Sequence, residues 1–231
     1  MEIGGFQKFS LIDYPNHLSA VVFTRGCNMH CGYCHNPELI DHHYFSKKLN
    51  NSRILSFLEK RKDQLDGLVV TGGEPTIQAD ILDFLKKVKT MGYEIKLDTN
   101  GSRPDVLERL IASEAVDYFA MDIKAPDFLY SQITGVDIDI NLIKKSIDII
   151  RNSGQLYEFR TTIVASQLTQ EDIMEIGRMI KGTDRYILQS FIAPKKLLDK
   201  NFFDQKGYDR AELEKWARSL EKNYVKYCTV R

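Results

Sequence analysis

Six short apolar or β-branched runs alternate with helix-period patterns along this chain, and that alternation constrains its fold more than any other feature. The runs are residues 19–24 (SAVVFT), 67–71 (GLVVT), 94–98 (EIKLD), 117–123 (DYFAMDI), 156–164 (LYEFRTTIV) and 185–190 (RYILQS). Each reads as a buried strand. Between them apolar residues recur at helical spacing: Ile54, Phe57 and Leu58; Ile81, Phe84, Leu85 and Val88; Leu107, Leu110 and Ile111; Ile143, Ile147 and Ile150. Ile173, Ile176 and Ile180 mark a fifth helix, and Leu213, Trp216, Ala217 and Leu220 a sixth.

Repeated βα units need parallel strands joined by right-handed crossovers, with helices covering the sheet, so the class is α/β. A closed barrel of eight units takes about 250 residues. Six units in 231 residues predict an incomplete (βα)6 TIM-like barrel with parallel strands, or its near relative, a curved open sheet. In either, ligands sit at the carboxyl ends of the strands. No linker or repeat divides the chain, so residues 1–231 are expected to form a single domain, with 195–208 a loop that is free to move.

Charge narrows the partners. Thirty-two Lys and Arg balance thirty-two Asp and Glu, which gives no positive field for nucleic acid or an anionic membrane. No apolar stretch approaches the roughly 20 residues of a membrane span. The first ten residues lack the basic start and apolar run of a signal peptide, so a cytoplasmic location is expected.

Three of the four cysteines, Cys27, Cys31 and Cys34, fall within eight residues just after the first run, while Cys228 stands near the other end. Clustered thiols argue for metal chemistry rather than a disulfide framework. Three thiolates can grip three irons of a [4Fe-4S] cluster, which normally takes four cysteines. Structural zinc, with His30 or His35 as a fourth ligand, also fits the spacing. So does an electron-transfer cluster completed by Cys228, although a lone cysteine more often packs as a small hydrophobe.

The pattern Cys27-x-x-x-Cys31-x-x-Cys34, with Tyr33 before the last cysteine, resembles the signature of radical S-adenosylmethionine enzymes. Thr71-Gly-Gly-Glu-Pro75 resembles the segment that receives the methionyl end of S-adenosylmethionine in that superfamily. Gly72 and Gly73 let the backbone approach a ligand, and Glu74 offers an acceptor for an ammonium group. Two further stretches, Asp98-Thr-Asn-Gly101 and Asp122-Ile-Lys124, are similar to those of glycyl-radical-enzyme activating enzymes, the subgroup that includes pyruvate formate-lyase activase. Residues 4–15 (GGFQKFSLIDYP), with Arg25-Gly-Cys27 and Cys34-His-Asn-Pro37, most resemble anaerobic ribonucleoside-triphosphate reductase activating proteins.

The resemblance implies a [4Fe-4S] cluster on Cys27, Cys31 and Cys34, and an S-adenosylmethionine site that includes Tyr33, Gly72, Gly73, Glu74, Asp98, Asn100 and Lys124. Arg160 is suited to the methionyl carboxylate, since guanidinium matches that group in a two-pronged way. Asp98, Thr99 and Asp122 are the expected seat of a monovalent cation. The implied reaction is reductive cleavage of S-adenosylmethionine to a 5′-deoxyadenosyl radical, which takes a hydrogen atom from a backbone glycine of a partner enzyme. That partner is expected to be anaerobic ribonucleotide reductase, with pyruvate formate-lyase as the alternative, and a flavodoxin or ferredoxin would donate the electron. A small-molecule radical S-adenosylmethionine enzyme, of the kind related to 7-carboxy-7-deazaguanine synthase, and a zinc-stabilised interaction module are the competing readings.

Overall fold

A computed structural model describes residues 1–40 and 48–231. Its strands are β1 (Ile3–Ser10), β2 (Ser19–Thr24), β3 (Gly67–Gly72), β4 (Glu94–Thr99), β5 (Tyr118–Asp122), β6 (Leu156–Ile163), β7 (Arg185–Ser190) and β8 (Tyr227–Val230). They form one sheet in chain order, from β1 at one edge to β8 at the other. The strands from β2 to β8 are parallel to their neighbours. The six expected strands are β2 to β7. The sheet departs from the all-parallel expectation at one edge, where β1 runs antiparallel to β2, and it gains β8 at the other.

The helices are α1 (Asn51–Glu59), α2 (Ile81–Lys89), α3 (Pro104–Ala112), α4 (Tyr130–Thr134), α5 (Ile140–Arg151), α6 (Gln170–Met179) and α7 (Arg210–Asn223). Their start signals are local. Asn50 accepts from the Ser52 amide and Asp139 from the Asn141 amide, while Thr169 and Asp172 form a reciprocal capping box. The short α4 ends at Gly135, whose φ of 68° is left-handed. Among the described residues no helix is long and apolar enough to cross a membrane.

Strand alternation separates two apolar regions. Ala20 and Val22 of β2, Leu68 and Val70 of β3, and Ile95 and Leu97 of β4 join the main core with the helices. The opposite faces, Val21, Val69, Tyr118 and Ala120, make a small inner cluster closed by Tyr14. Further along the same inward rows the residues turn polar: Thr71, Asp98, Asp122 and Arg160 all line a cavity at the carboxyl ends of the strands. The inner cluster, with Lys96 and Glu158 buried beside it, therefore fills one end of the incomplete barrel, and the other end is left for chemistry.

Candidate active site

The loop that follows β2 carries the three thiols, and it is fixed from three directions. The His30 amide donates to the Thr134 carbonyl at the end of α4 (2.7 Å), and the Gly26 amide donates to the Leu39 carbonyl (2.6 Å). From the C-terminal side, the Asp199 amide donates to the Gly32 carbonyl (3.1 Å). The 195–208 segment expected to be a loop carries a 3-10 turn, Lys200–Phe202, capped by Asp199. The Phe202 ring covers Gly32 so closely that a Cβ there would fall 2.5 Å from it. Tyr33 is buried between Phe191 and Phe202, with ring centroids 6.3 Å away in each case.

Cys27, Cys31 and Cys34 all face the same cavity, of about 210 Å³. Burial pushes each thiol up, Cys27 to about 12, with the Glu74 carboxylate adding to the effect there. Binding iron as thiolates would therefore release protons. Cys228 lies away from this loop, buried on β8 with its amide donating to Glu221 (2.8 Å).

The turn after β3 owes its two glycines to the chain itself. Gly72 has a φ of 119°, and a Cβ on Gly73 would stand 2.0 Å from the Gly26 carbonyl oxygen. The Gly73 amide donates to Thr24 (2.9 Å) and the Glu74 amide to Gly26 (2.8 Å). The glycines thus allow close approach to the cysteine-bearing arm, where the sequence suggested approach to a ligand, and the same turn also lines the cavity.

Glu74 is 1 % exposed, and its oxygens are held within the protein. Oε1 accepts from the Thr76 amide (3.0 Å) and the Thr99 hydroxyl (2.8 Å), and Oε2 from the Asn100 amide (2.6 Å). Burial raises its pKa against the pull of these donors. The carboxylate expected to meet an ammonium group lines the cavity and also ties the β3 turn to the β4 turn. Asn100 extends the tie: its Nδ2 donates to Asn28 (3.0 Å) and approaches the Cys27 sulfur at 3.9 Å.

An ion network crosses the cavity floor. Arg160 donates from Nε to Asp122 (2.8 Å) and from one terminal nitrogen to Asp98 (3.3 Å). Lys124 donates to the second Asp122 oxygen (2.9 Å), and Lys96 to the second Asp98 oxygen (2.5 Å). Burial pushes both carboxyls up, but Arg160, with Lys96 at Asp98 and Lys124 at Asp122, overcomes it and holds them below the usual carboxylate range. Burial likewise opposes the charge on Lys124, yet Asp122 keeps that ammonium well above its ordinary value. The trio expected to seat a monovalent cation is thus engaged by Lys96, Arg160 and Lys124 at its aspartates and by Glu74 at Thr99.

Every residue singled out from the sequence for the cluster, the nucleotide or the cation lines this one cavity. Thr162 lines it as well and was not named, while Thr71 was named only as the start of its motif and His35 only as a ligand to zinc. Thr71 and Thr162 sit two residues beyond the inward-facing Val69 and Arg160, a period-2 signal that would have found them. His35 stacks obliquely on Phe191 at 5.5 Å, and burial lowers its pKa.

Comparison with known proteins agrees with this geometry. The chain is 33% identical over 235 residues, 99% of its length and 95% of the relative's, to a Methanocaldococcus jannaschii protein provisionally named a glycyl-radical enzyme activating enzyme. A Pyrococcus horikoshii protein named a probable GTP 3′,8-cyclase is 27% identical over 84% of this chain and 62% of its own. Among solved structures, Streptococcus suis SuiB bound to S-adenosylmethionine superposes with a TM-score of 0.70 at 16% identity, over 91% of this chain and about half (49%) of that one. The family model for the radical SAM superfamily matches residues 21–180, and the chain belongs to that superfamily of enzymes, whose cofactors are S-adenosylmethionine and a [4Fe-4S] cluster.

Proposed function

We propose that this enzyme is an activase that installs a glycyl radical in a partner protein, and that the partner is an anaerobic ribonucleotide reductase. One observation carries the reading: the thiols, the Gly72-Gly73 turn and the charged floor converge on a single cavity, in a chain that matches, along nearly its whole length, a protein provisionally named an activating enzyme.

The donor set fits the cofactors. Cys27, Cys31 and Cys34 would hold three irons of the cluster and leave the fourth for the amino acid end of S-adenosylmethionine. The β3 turn would meet that end with backbone at Gly72 and Gly73, shaped by Glu74, while Tyr33 and Asn100 flank the thiols. Lys96, Lys124 and Arg160 meet Asp98 and Asp122 at the floor, and Arg160 also lies 3.9 Å from the buried Glu158. Of these cations Arg160 and Lys124 line the cavity, and they are the groups to receive a methionyl carboxylate. When bound, the cofactor pair supplies a radical that removes a hydrogen atom. The protein positions, shields and neutralises.

Glycine is an apt target because its α-radical delocalises over both flanking amides and no side chain obstructs entry. The sheet ends in separate edge strands, β1 and β8, so strand pairing does not close the barrel. We place the enzyme in the cytoplasm, acting as one domain of residues 1–231 and fed electrons by a flavodoxin or ferredoxin.

The test is anaerobic reconstitution with iron and sulfide, followed by S-adenosylmethionine, dithionite and purified partner, read by electron paramagnetic resonance. A stable glycyl signal in anaerobic ribonucleotide reductase is expected. A signal only in pyruvate formate-lyase would reassign the partner. Reductive cleavage with no protein radical in either would remove the activase reading in favour of a small-molecule substrate.

A further inference from the structure

Lys96 is an unusual residue for its position. It lies on β4 between Val69 and Tyr118 in register, and both of those belong to the inner apolar cluster, so its side chain enters the barrel rather than the solvent. The residue is 2 % exposed. An ammonium removed from water needs a close counter-charge, and Asp98 Oδ1 supplies it at 2.5 Å.

Asp98 and Asp122 have four carboxylate oxygens between them, and each faces a cation of the chain. Lys96 and Arg160 take the two on Asp98, at 2.5 and 3.3 Å. Arg160 and Lys124 take the two on Asp122, at 2.8 and 2.9 Å. Thr99, the third member of the expected cation seat, spends its hydroxyl proton on Glu74. A monovalent metal ion would have to compete with ammonium and guanidinium groups that are covalently tethered beside the carboxylates. These donors do not fit an exchangeable ion.

We propose that Lys96 is a built-in counter-ion, a positioning residue that holds Asp98 beneath the cofactor cavity and makes nucleotide binding independent of added sodium or potassium. The proposal rests on S-adenosylmethionine occupying this cavity. A tethered charge does not dissociate, so the site is not subject to the mass-action loss that a free ion suffers on dilution.

The experiment measures S-adenosylmethionine affinity of the anaerobically reconstituted enzyme by equilibrium dialysis in tetramethylammonium, sodium or potassium chloride at equal ionic strength. The wild-type Kd is expected to be the same in all three salts. Lys96→Ala should bind about tenfold more weakly in tetramethylammonium, the loss of one charge-assisted contact, and recover most of that in potassium or sodium. The melting temperature of the iron-free variant should rise in the same two salts relative to tetramethylammonium, a readout that needs no turnover. Lys96→Arg keeps the charge and should stay indifferent to salt. Tighter wild-type binding in sodium or potassium overturns the proposal, and so does a Lys96→Ala protein that binds as tightly as wild type without them. If Lys96→Ala fails to fold, the wild-type salt series still decides. No binding in any salt would refute the cofactor reading together with this inference, whereas cation-dependent wild-type binding refutes the role of Lys96 alone.

Discussion

Arg160 and Asp122 are direct register partners on β6 and β5, and their side chains meet at 2.8 Å across the cavity floor. The pair sets the acid sensitivity of the fold. Asp122 titrates below an unfolded carboxyl, whose value is about 3.9, so its contribution to stability is complete above that pH and disappears as pH falls toward the folded value. Urea unfolding of the iron-free protein should weaken steeply below about pH 4. Asp122→Asn should flatten that acid limb and lose about 3 kcal/mol at neutral pH, because Arg160 is left buried with one partner fewer. An unchanged acid limb would contradict the assignment.

Gly73→Ala places a carbon 2.0 Å from a backbone oxygen of Gly26, and neither turn can yield by rotating a side chain. Overpacking of this kind typically costs about 1–3 kcal/mol. Because the displaced arm carries the thiols, the iron content after reconstitution should fall as well as the melting temperature. Full iron loading in this variant would show the contact to be compliant.

Removing a thiol separates ligands from bystanders. Cys27→Ala, Cys31→Ala and Cys34→Ala should each abolish the brown chromophore and reductive cleavage of S-adenosylmethionine. Cys228→Ala, altering a buried residue on β8, should keep both. Visible absorbance and methionine release are sufficient measurements, and loss of colour in the Cys228 variant would sink the three-thiol account.

The Phe202 ring shields the cysteine loop by covering Gly32 and leaning on Tyr33. Phe202→Ala should leave anaerobic cleavage largely intact, yet the chromophore should bleach several-fold faster on exposure to air. Equal bleaching rates would mean that this ring does not govern access.

Where periodicity was strong, the sequence was sufficient: β2 to β7 and six of the helices follow from apolar spacing, while the five-residue α4 is too short to show a period, and most of the polar cavity residues lie in motifs at the ends of those strands. The edges were not legible. β1 opens with Ile-Gly-Gly, a pair that reads as a turn, and it pairs on one side only, so its strand character comes from β2 rather than from its own residues. β8 is only four residues long. Lys96 was hidden for a related reason: a lysine in a strand normally marks the solvent face, and only the register with Val69 and Tyr118 shows that it points inward. Glu74 lines the cavity, but its partners Thr99 and Asn100 lie about two dozen residues away, beyond any local pattern.

The backbone contact between Gly73 and Gly26 also limits how this scaffold can be redesigned. Two loops locked main chain to main chain form one casting, so an insertion in either would pry the iron ligands from the nucleotide turn. Widening the chamber for a bulkier substrate meets the same restraint on the wall after β6 and β7, where the Ala165 amide bonds to Lys206, Phe191 to Ile163 and Asp199 to Gly32, again main chain to main chain.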